Sequence, residues 1–318
     1  MNRMRWEEKR RSPLPSWAQV RIEGPNDVAR TVAEIERCGL GQAAQLTRFS
    51  IQKGRIVSPT IQQAWQHPRV LKMRFFIQRL LPLPDVEFLF TSHDLYEDPQ
   101  LLACTHAPVF AISKTSQNAK VVLFPHVEWL FHWQRLKRKL QQQEMAWEQK
   151  KPVLFWRGAT TGFTSRYPIV QLSRKYPEEI DALFSSFPQI DEAVQRRLME
   201  ENLVGQGVAE EAQAQFRYLL SLDGNCFGGS FFWQLASGSV VFKQDSDYQE
   251  WYYPGLSPYV HYIPFARNGA EKKKKKRWPE THEEECKGLV RSAIKFSEEI
   301  LSVEAMMAYA DYLLHQLI

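Results

Sequence analysis

A carboxylate that directly follows an apolar run is well placed to take a proton, and Asp94 is such a group. VEFLFTS reads as a strand, and His93 and Asp94 stand at its exit. Open α/β sheets carry their chemistry at strand exits, which makes Asp94 a candidate general base; a helix or turn cap is the bland reading of the same residue. The stretch LSLDGNCFGGS offers different chemistry. Gly224, Gly228 and Gly229 permit close backbone approach, and a helix beginning near Ser230 would present free N–H groups and a dipole to an anion such as a diphosphate. Glycine turns also join strands to helices for packing reasons alone. RGATTGFTSR sets Arg157 and Arg166 at opposite ends of a small polar loop, where guanidinium groups can hold phosphate oxygens bidentately; one of them reads alternatively as a structural surface pair. Asp245-Ser246-Asp247 supplies two carboxylates that could hold a divalent ion against a diphosphate, although such a triplet recurs by chance.

These residues need a scaffold, and the periodicities suggest one. DVARTVAEIER puts Val28, Val32 and Ile35 on one helical face, RFSIQKGRIV alternates like a hairpin, and VLKMRFFIQRLL is helical up to a Leu-Pro-Leu-Pro break. APVFAISK and VVLFP look like another strand pair around a polar turn, and Trp129 to Lys150 forms a long polar helix between two halves. The expected domains are 1–145 and 146–318. The second half reads as the strand PVLFWRGATTG, helical segments around PIVQLSRK and DEAVQRRLMEEN, then strand, glycine loop, short helix, glycine stop and strand from FRYLLSLDGN to SVVFKQ. One or two amphipathic helices close the chain from Lys287.

The 318 residues, 44% hydrophobic and 24% charged, match globular averages and exclude a disordered or fibrous chain. The start MNRMRWEEKRRSPLPSW has no apolar stretch behind it, and no segment approaches the roughly 20 apolar residues of a membrane span, which favours a cytoplasmic protein. Cys38, Cys104, Cys226 and Cys286 are scattered without a C-x-x-C pair, so neither a zinc site nor a disulfide framework is expected, and a reducing compartment fits. The net charge of +5 is modest and concentrates at the N-terminus and in Lys272 to Arg277, a run that is usually a solvated loop and otherwise a contact for anionic lipid or nucleic acid. Trp251, Tyr252, Tyr253, Tyr259 and His261 suit either a sugar site or a core under a Pro-rich loop.

A base, positive potential for a departing diphosphate and a slot for nucleotide and sugar are what glycosyl transfer needs. Here the sequence resembles glycosyltransferase family 90, which includes protein O-glucosyltransferases, fungal capsule-associated xylosyltransferases and bacterial lipopolysaccharide-modifying enzymes. LPDVEFLFTSHD, VFAISKTS, LFWRGATTGFTSRYP, LLSLDGN, LASGSVVFKQ and EWYYPGLSPYVHYIP carry the resemblance, in the family's order, over roughly residues 40 to 265. It implies an α/β, GT-B-like fold: two Rossmann-like domains with a cleft between them and a C-terminal helix. It implies metal-independent, inverting transfer from a UDP-sugar, with glucose or xylose favoured, and no cofactor beyond that co-substrate. Asp94 takes the position of the catalytic base and Arg166 that of an arginine on the donor diphosphate. The donor side comprises Arg157, Arg166, Asp223, Gly224, Asn225, Phe227, Gly228, Gly229, Ser230, Lys243 and Glu250. Ser230 stands where animal members have arginine, which shifts weight onto Arg166, the helix start and Lys243. The expected acceptor is a glycan or glycolipid, foremost lipopolysaccharide core, reached from the inner membrane face by peripheral contact with anionic lipid; no nucleic acid is expected. Two rivals stay open: a metal-dependent transferase using Asp245 and Asp247, and a non-catalytic carbohydrate-binding or nucleic-acid-binding module.

Overall fold

A computed structural model describes residues 13–57, 67–266 and 281–318, so the Lys272 to Arg277 run and the basic start up to residue 12 lie outside the described residues. The chain forms two compact units. One comprises Met1–His132, Asp247–Gly255 and Ser302–Ile318, the other Trp133–Ser246 and Leu256–Leu301.

The first unit is built on a five-stranded sheet of β1 (Leu46–Gln52), β2 (Arg55–Val57), β3 (Val86–Thr91), β4 (Val109–Ala111) and β5 (Val121–Leu123), in the order β2-β1-β3-β4-β5. Lys53 and Gly54 both have positive φ, 49° and 69°, the conformation of a two-residue hairpin turn that joins β1 to β2. β1 is antiparallel to β3, whereas β3, β4 and β5 run parallel. The expectation of a Rossmann-like first domain is corrected to that extent: the hairpin gives this sheet an antiparallel half. Its core is an aromatic column in which Phe49 stacks on Phe88 at 5.1 Å, Phe88 meets Phe110, and Phe110 meets Phe124. Helix Pro68–Leu80 covers it through Phe76, 5.5 Å from Phe124. Proline at the start of that helix suits a position whose N–H has no intrahelical partner, and the Leu-Pro-Leu-Pro break ends it as expected.

The second unit has an all-parallel sheet of β6 (Lys151–Ala159), β7 (Ile180–Ser186), β8 (Phe216–Ser221), β9 (Val240–Gln244) and β10 (Ile263–Phe265). The spatial order is β7-β6-β8-β9-β10, so the winding reverses between β6 and β8. In doubly wound sheets the crevice outside the strand C-termini at such a reversal is where ligands bind. Trp156, Phe184, Leu198, Leu220 and Phe242 sit in its apolar core. The edge strand β7 is absent from the sequence reading, although its alternating buried and half-buried positions carry a period of two.

A single cut after residue 145 does not describe this division. The segment Tyr248–Gln249 pairs with Lys114–Thr115, and Trp251 stacks on Tyr309 at 4.9 Å, which ties both the 247–255 stretch and the last helix to the first unit. That helix, Val303–His315, buries Met306, Met307, Tyr309, Leu313 and Leu314, too much apolar surface to stand exposed. The helix before it is Glu283–Glu299, giving the two C-terminal helices allowed by the periodicity.

Candidate active site

Strand β3 ends at Thr91, and Asp94 follows its C-terminal edge. The Asp94 carboxylate does not cap the following helix, Pro99–Ala103, which is capped by Asp98 accepting from the backbone N–H of Gln100 and Leu101. Asp94 Oδ1 instead lies 2.8 Å from Arg69 Nη2, and the same guanidinium donates from Nη1 to the Ser92 carbonyl at 2.8 Å. Ser113 Oγ donates to the Asp94 carbonyl. The carboxylate is therefore held by backbone and by one oxygen, while its side chain remains 33% exposed and Oδ2 has no hydrogen-bond partner among the described residues. That is a usable geometry for accepting a proton from a hydroxyl. Lys72 pairs with Glu128 at 3.2 Å beside it. Burial pushes the nearby His126 imidazole down to about 4, so it is neutral near pH 7 and leaves the cationic role to Arg69 and Lys72. His93 faces back to its own chain, with Nδ1 2.8 Å from the Leu95 carbonyl.

The second unit brings Arg166 and the glycine loop together where the winding of its sheet reverses. The loop after β6 and the loop after β8 meet there, fastened by Arg166. Its Nε donates to the Asp223 carbonyl at 2.9 Å, Nη1 to the Ala159 carbonyl and to Thr161 Oγ1, both at 2.8 Å, and Nη2 to the Leu222 carbonyl at 3.2 Å. A guanidinium has five N–H donors, so one remains, on Nη2. Burial pushes this guanidinium down to about 10, with Asp223 opposing, and it stays charged at neutral pH. Gln244, fully buried at the end of β9, accepts from the Asp223 N–H at 3.0 Å and meets Ser165 Oγ at 3.1 Å. Sequence reading missed Gln244, Ser165 and Thr161 as well as Arg69; a polar residue ending the apolar run SVVFKQ was the only signal, and it marked Gln244 alone.

Gly162, with φ +63°, shows how closely the two loops approach: a Cβ there would lie 2.2 Å from the Gly224 carbonyl oxygen. Gly162→Ala therefore adds a backbone clash to a strained φ and should destabilise the protein by about 2 kcal/mol or more. Chemical denaturation would measure it, and an unchanged midpoint would show that the loops separate readily. Gly228 is likewise required by packing, since a Cβ would meet Ser221 Oγ at 2.8 Å and the Leu222 carbonyl oxygen at 2.9 Å, whereas Gly229 and Asn225 are exposed and Phe227 is buried.

Several expected roles change with the geometry. The helix after Ser230 is only Phe231–Gln234, a single turn, too short to sum peptide dipoles into the anion site read from the sequence. Arg157 is engaged elsewhere: Nη2 pairs with Asp181 Oδ1 at 2.7 Å, Nη1 donates to the Trp156 and Asp181 carbonyls, and the group lies over the Phe155 ring. It is the structural pair of the two arginines. Lys243 is buried, with Nζ 3.3 Å from the Gln244 carbonyl and 5.5 Å from the Phe231 ring centroid. Glu250 belongs to the first unit, is fully buried, and accepts from the Tyr252 hydroxyl at 3.1 Å. Burial, followed by the charge of Glu250, pushes the Tyr252 phenol well above its ordinary range. Trp251 and Tyr252 are core, while Tyr259 is half exposed with φ +60°. Asp245 and Asp247 are exposed, and no group of three or more His, Cys, Asp or Glu stands together as metal ligands among the described residues. None of the helices searched among those residues is long and apolar enough to cross a membrane.

Comparison with known proteins gives the family of the chain. Protein O-glucosyltransferase 2 of Danio rerio is 25% identical over 287 residues, 85% of this chain and 54% of that one. Protein O-glucosyltransferase 1 of Rattus norvegicus is 22% identical over 305 residues, 90% and 74% of the two chains. An O-glucosyltransferase rumi homolog of Aedes aegypti is 29% identical over 207 residues, 59% and 50%. This chain thus spans about half the length of the first and third of these relatives. Among solved structures, a glycosyltransferase from Rickettsia africae ESF-5 matches 65% of this chain and 63% of that one at 10% identity, with a TM-score of 0.39, too low to bear on the fold. The family profile described as glycosyl transferase family 90 matches residues 26–317, nearly the full length, and the chain belongs to that family.

Proposed function

We propose that the chain is an inverting glycosyltransferase of GT-B type that moves a sugar from a UDP-sugar to a hydroxyl of a glycan or glycolipid. The observation that carries the reading is the pair of loops at the winding reversal of the second sheet, fastened to each other by a buried arginine whose hydrogen bonds all go to neutral oxygens. In this reading the remaining Arg166 N–H, the backbone amides of the loop from Gly224 to Ser230 and the ammonium of Lys243 take up the charge of the departing diphosphate. Asp94 Oδ2 removes the acceptor proton as the acceptor oxygen forms its bond to the anomeric carbon and the bond to UDP breaks; one displacement inverts the centre. Glucose is favoured by the names of the similar proteins, with xylose next, and lipopolysaccharide core is the favoured acceptor on the family resemblance. The reading places the protein in the cytoplasm, peripheral on an anionic membrane face.

Two measurements test it. UDP and one UDP-sugar should raise the melting temperature selectively, since a ligand at a hundred times its Kd adds about 2.7 kcal/mol to the native state. UDP release should persist in excess chelator, because no divalent ion is needed where arginine and amides neutralise the leaving group. Activity abolished by chelator, restored by manganese and lost in Asp245→Ala would replace this mechanism with the metal-dependent one. Failure of every UDP-sugar to bind would leave a non-catalytic module.

A further inference from the structure

Cys38 and Cys104, 66 residues apart in sequence, have their sulfurs 3.6 Å apart. Each closes a helix: Cys38 follows Val28–Arg37 and donates its N–H to the Glu34 carbonyl, and Cys104 follows Pro99–Ala103 and donates to the carbonyls of Gln100 and Leu101. The two chain segments are fastened together around the sulfurs. The His106 N–H donates to Thr31 Oγ1 at 2.8 Å, its Nε2 lies 2.9 Å from Glu34 Oε2, and its carbonyl accepts from the Asp27 N–H at 3.1 Å. Cys104 is buried with Ile35, Leu101 and Ala107, and Cys38 is exposed. A disulfide is about 2.05 Å long, so closing it asks the sulfurs to approach by about 1.5 Å within a scaffold that already holds them in contact. Cys226 and Cys286 are both buried and belong to the other unit.

We propose that Cys38 and Cys104 are a reversible oxidation site, a dithiol that a small-molecule disulfide such as glutathione disulfide converts into one intramolecular bond. The exposed Cys38 thiolate attacks a sulfur of glutathione disulfide, forming a mixed disulfide and expelling one glutathione thiolate. Cys104 then loses its proton to solvent, and its sulfur attacks Cys38 Sγ and expels the second glutathione thiolate. Two thiols are oxidised, one disulfide is reduced to two glutathione thiols, and no other oxidant is needed. Cys104 cannot lead, because its thiol is buried and its pKa is raised, first by the hydrogen bond to Cys38 and then by burial. The resulting bond ties the helix Val28–Arg37 to the end of the segment that runs on from Asp94. It does not depend on the proposed transferase activity.

The test uses the full chain, incubated with glutathione disulfide, blocked with an alkylating reagent and mapped by peptide mass spectrometry without reduction. Wild type should lose the mass of two hydrogens and yield a single Cys38–Cys104 linked peptide pair, reversed by reduced glutathione. Cys104→Ser should stop at a glutathione adduct on Cys38, and Cys38→Ser should yield neither adduct nor linked pair. The variant at exposed Cys38 separates chemistry from folding, because that substitution disturbs no core. Both thiols still alkylated after oxidation in wild type would overturn the proposal. So would an intermolecular bond through Cys38, or a Cys104 adduct in Cys38→Ser.

Discussion

Asp94→Asn is expected to lower turnover by about two to four orders of magnitude, the usual contribution of a positioned general base, while UDP affinity stays within about twofold. The substitution preserves shape. An amide oxygen can still accept from Arg69 Nη2 where Asp94 Oδ1 now does, and the carbonyl that receives Ser113 Oγ is untouched. What is lost is the ability to hold a proton. The ion pair is partly exposed, so its removal should cost under about 1 kcal/mol of stability, and an intact melting transition makes the turnover comparison clean. UDP affinity is the internal control, because the proposed donor residues lie in the other unit. Arg69→Leu keeps the base but removes the group that orients it, so it should fall between wild type and Asp94→Asn in turnover. Both variants need turnover and calorimetric UDP affinity measured on the same folded sample. Near-normal turnover in Asp94→Asn would remove Asp94 from the mechanism.

The strands that carry these residues were legible because each is an apolar run ended by polar or glycine residues. VEFLFTS, PVLFWRGATTG, FRYLLS and SVVFKQ correspond to β3, β6, β8 and β9, and the polar helix expected over Trp129 to Lys150 is present as Trp129–Gln142, ending ahead of a separate 3-10 turn at Trp147–Gln149. Local pattern suffices there, since a strand's period and its breakers are properties of neighbouring residues. The partners of the charged side chains were not legible, because they are set by contacts distant in sequence. Arg69 reaches Asp94 across 25 positions, and Arg166 reaches Leu222 and Asp223 across 56 and 57. The same limit hid the return of Trp251 and the final helix to the first unit, and the contact between Cys38 and Cys104. The glycine loop illustrates a subtler gap. Its sequence advertised a helix start as an anion site, yet the helix is one turn long and the loop is fixed instead by a side chain from another element. Placement alone marks Asp94 and Arg166 as candidates and the resemblance to the family adds an expected role to each; the contacts around them are set by the folded chain.

Arg166→Ala should damage the second unit in two ways, acting on stability and donor affinity together. Truncation removes the donor from three carbonyl oxygens, those of Ala159, Leu222 and Asp223, and from Thr161 Oγ1, at a position only 9% exposed. Hydrogen bonds to a charged group are worth about 1.5–3 kcal/mol each, and acceptors left buried cost a comparable amount, so a loss of about 3 kcal/mol or more is expected even if water enters the space and recovers part of it. The Gly162–Gly224 contact should loosen with it, because those glycines sit on the two loops that the guanidinium joins. UDP affinity should fall at least tenfold, since the loops lose both their shape and their buried positive charge. Arg166→Lys distinguishes shape from charge. An ammonium keeps the charge but has three donors on one atom and no planar fork to span both loops, so the melting temperature should still fall while some UDP affinity returns. If Arg166 were only a phosphate ligand at the surface, Arg166→Ala would weaken UDP binding and leave the unfolding midpoint where it was. Denaturation midpoints and calorimetric UDP titrations on the two variants decide between these roles: an unchanged midpoint in Arg166→Ala would disprove the loop-fastening role, and unchanged UDP affinity in that folded variant would move the donor site away from the winding reversal of the second sheet.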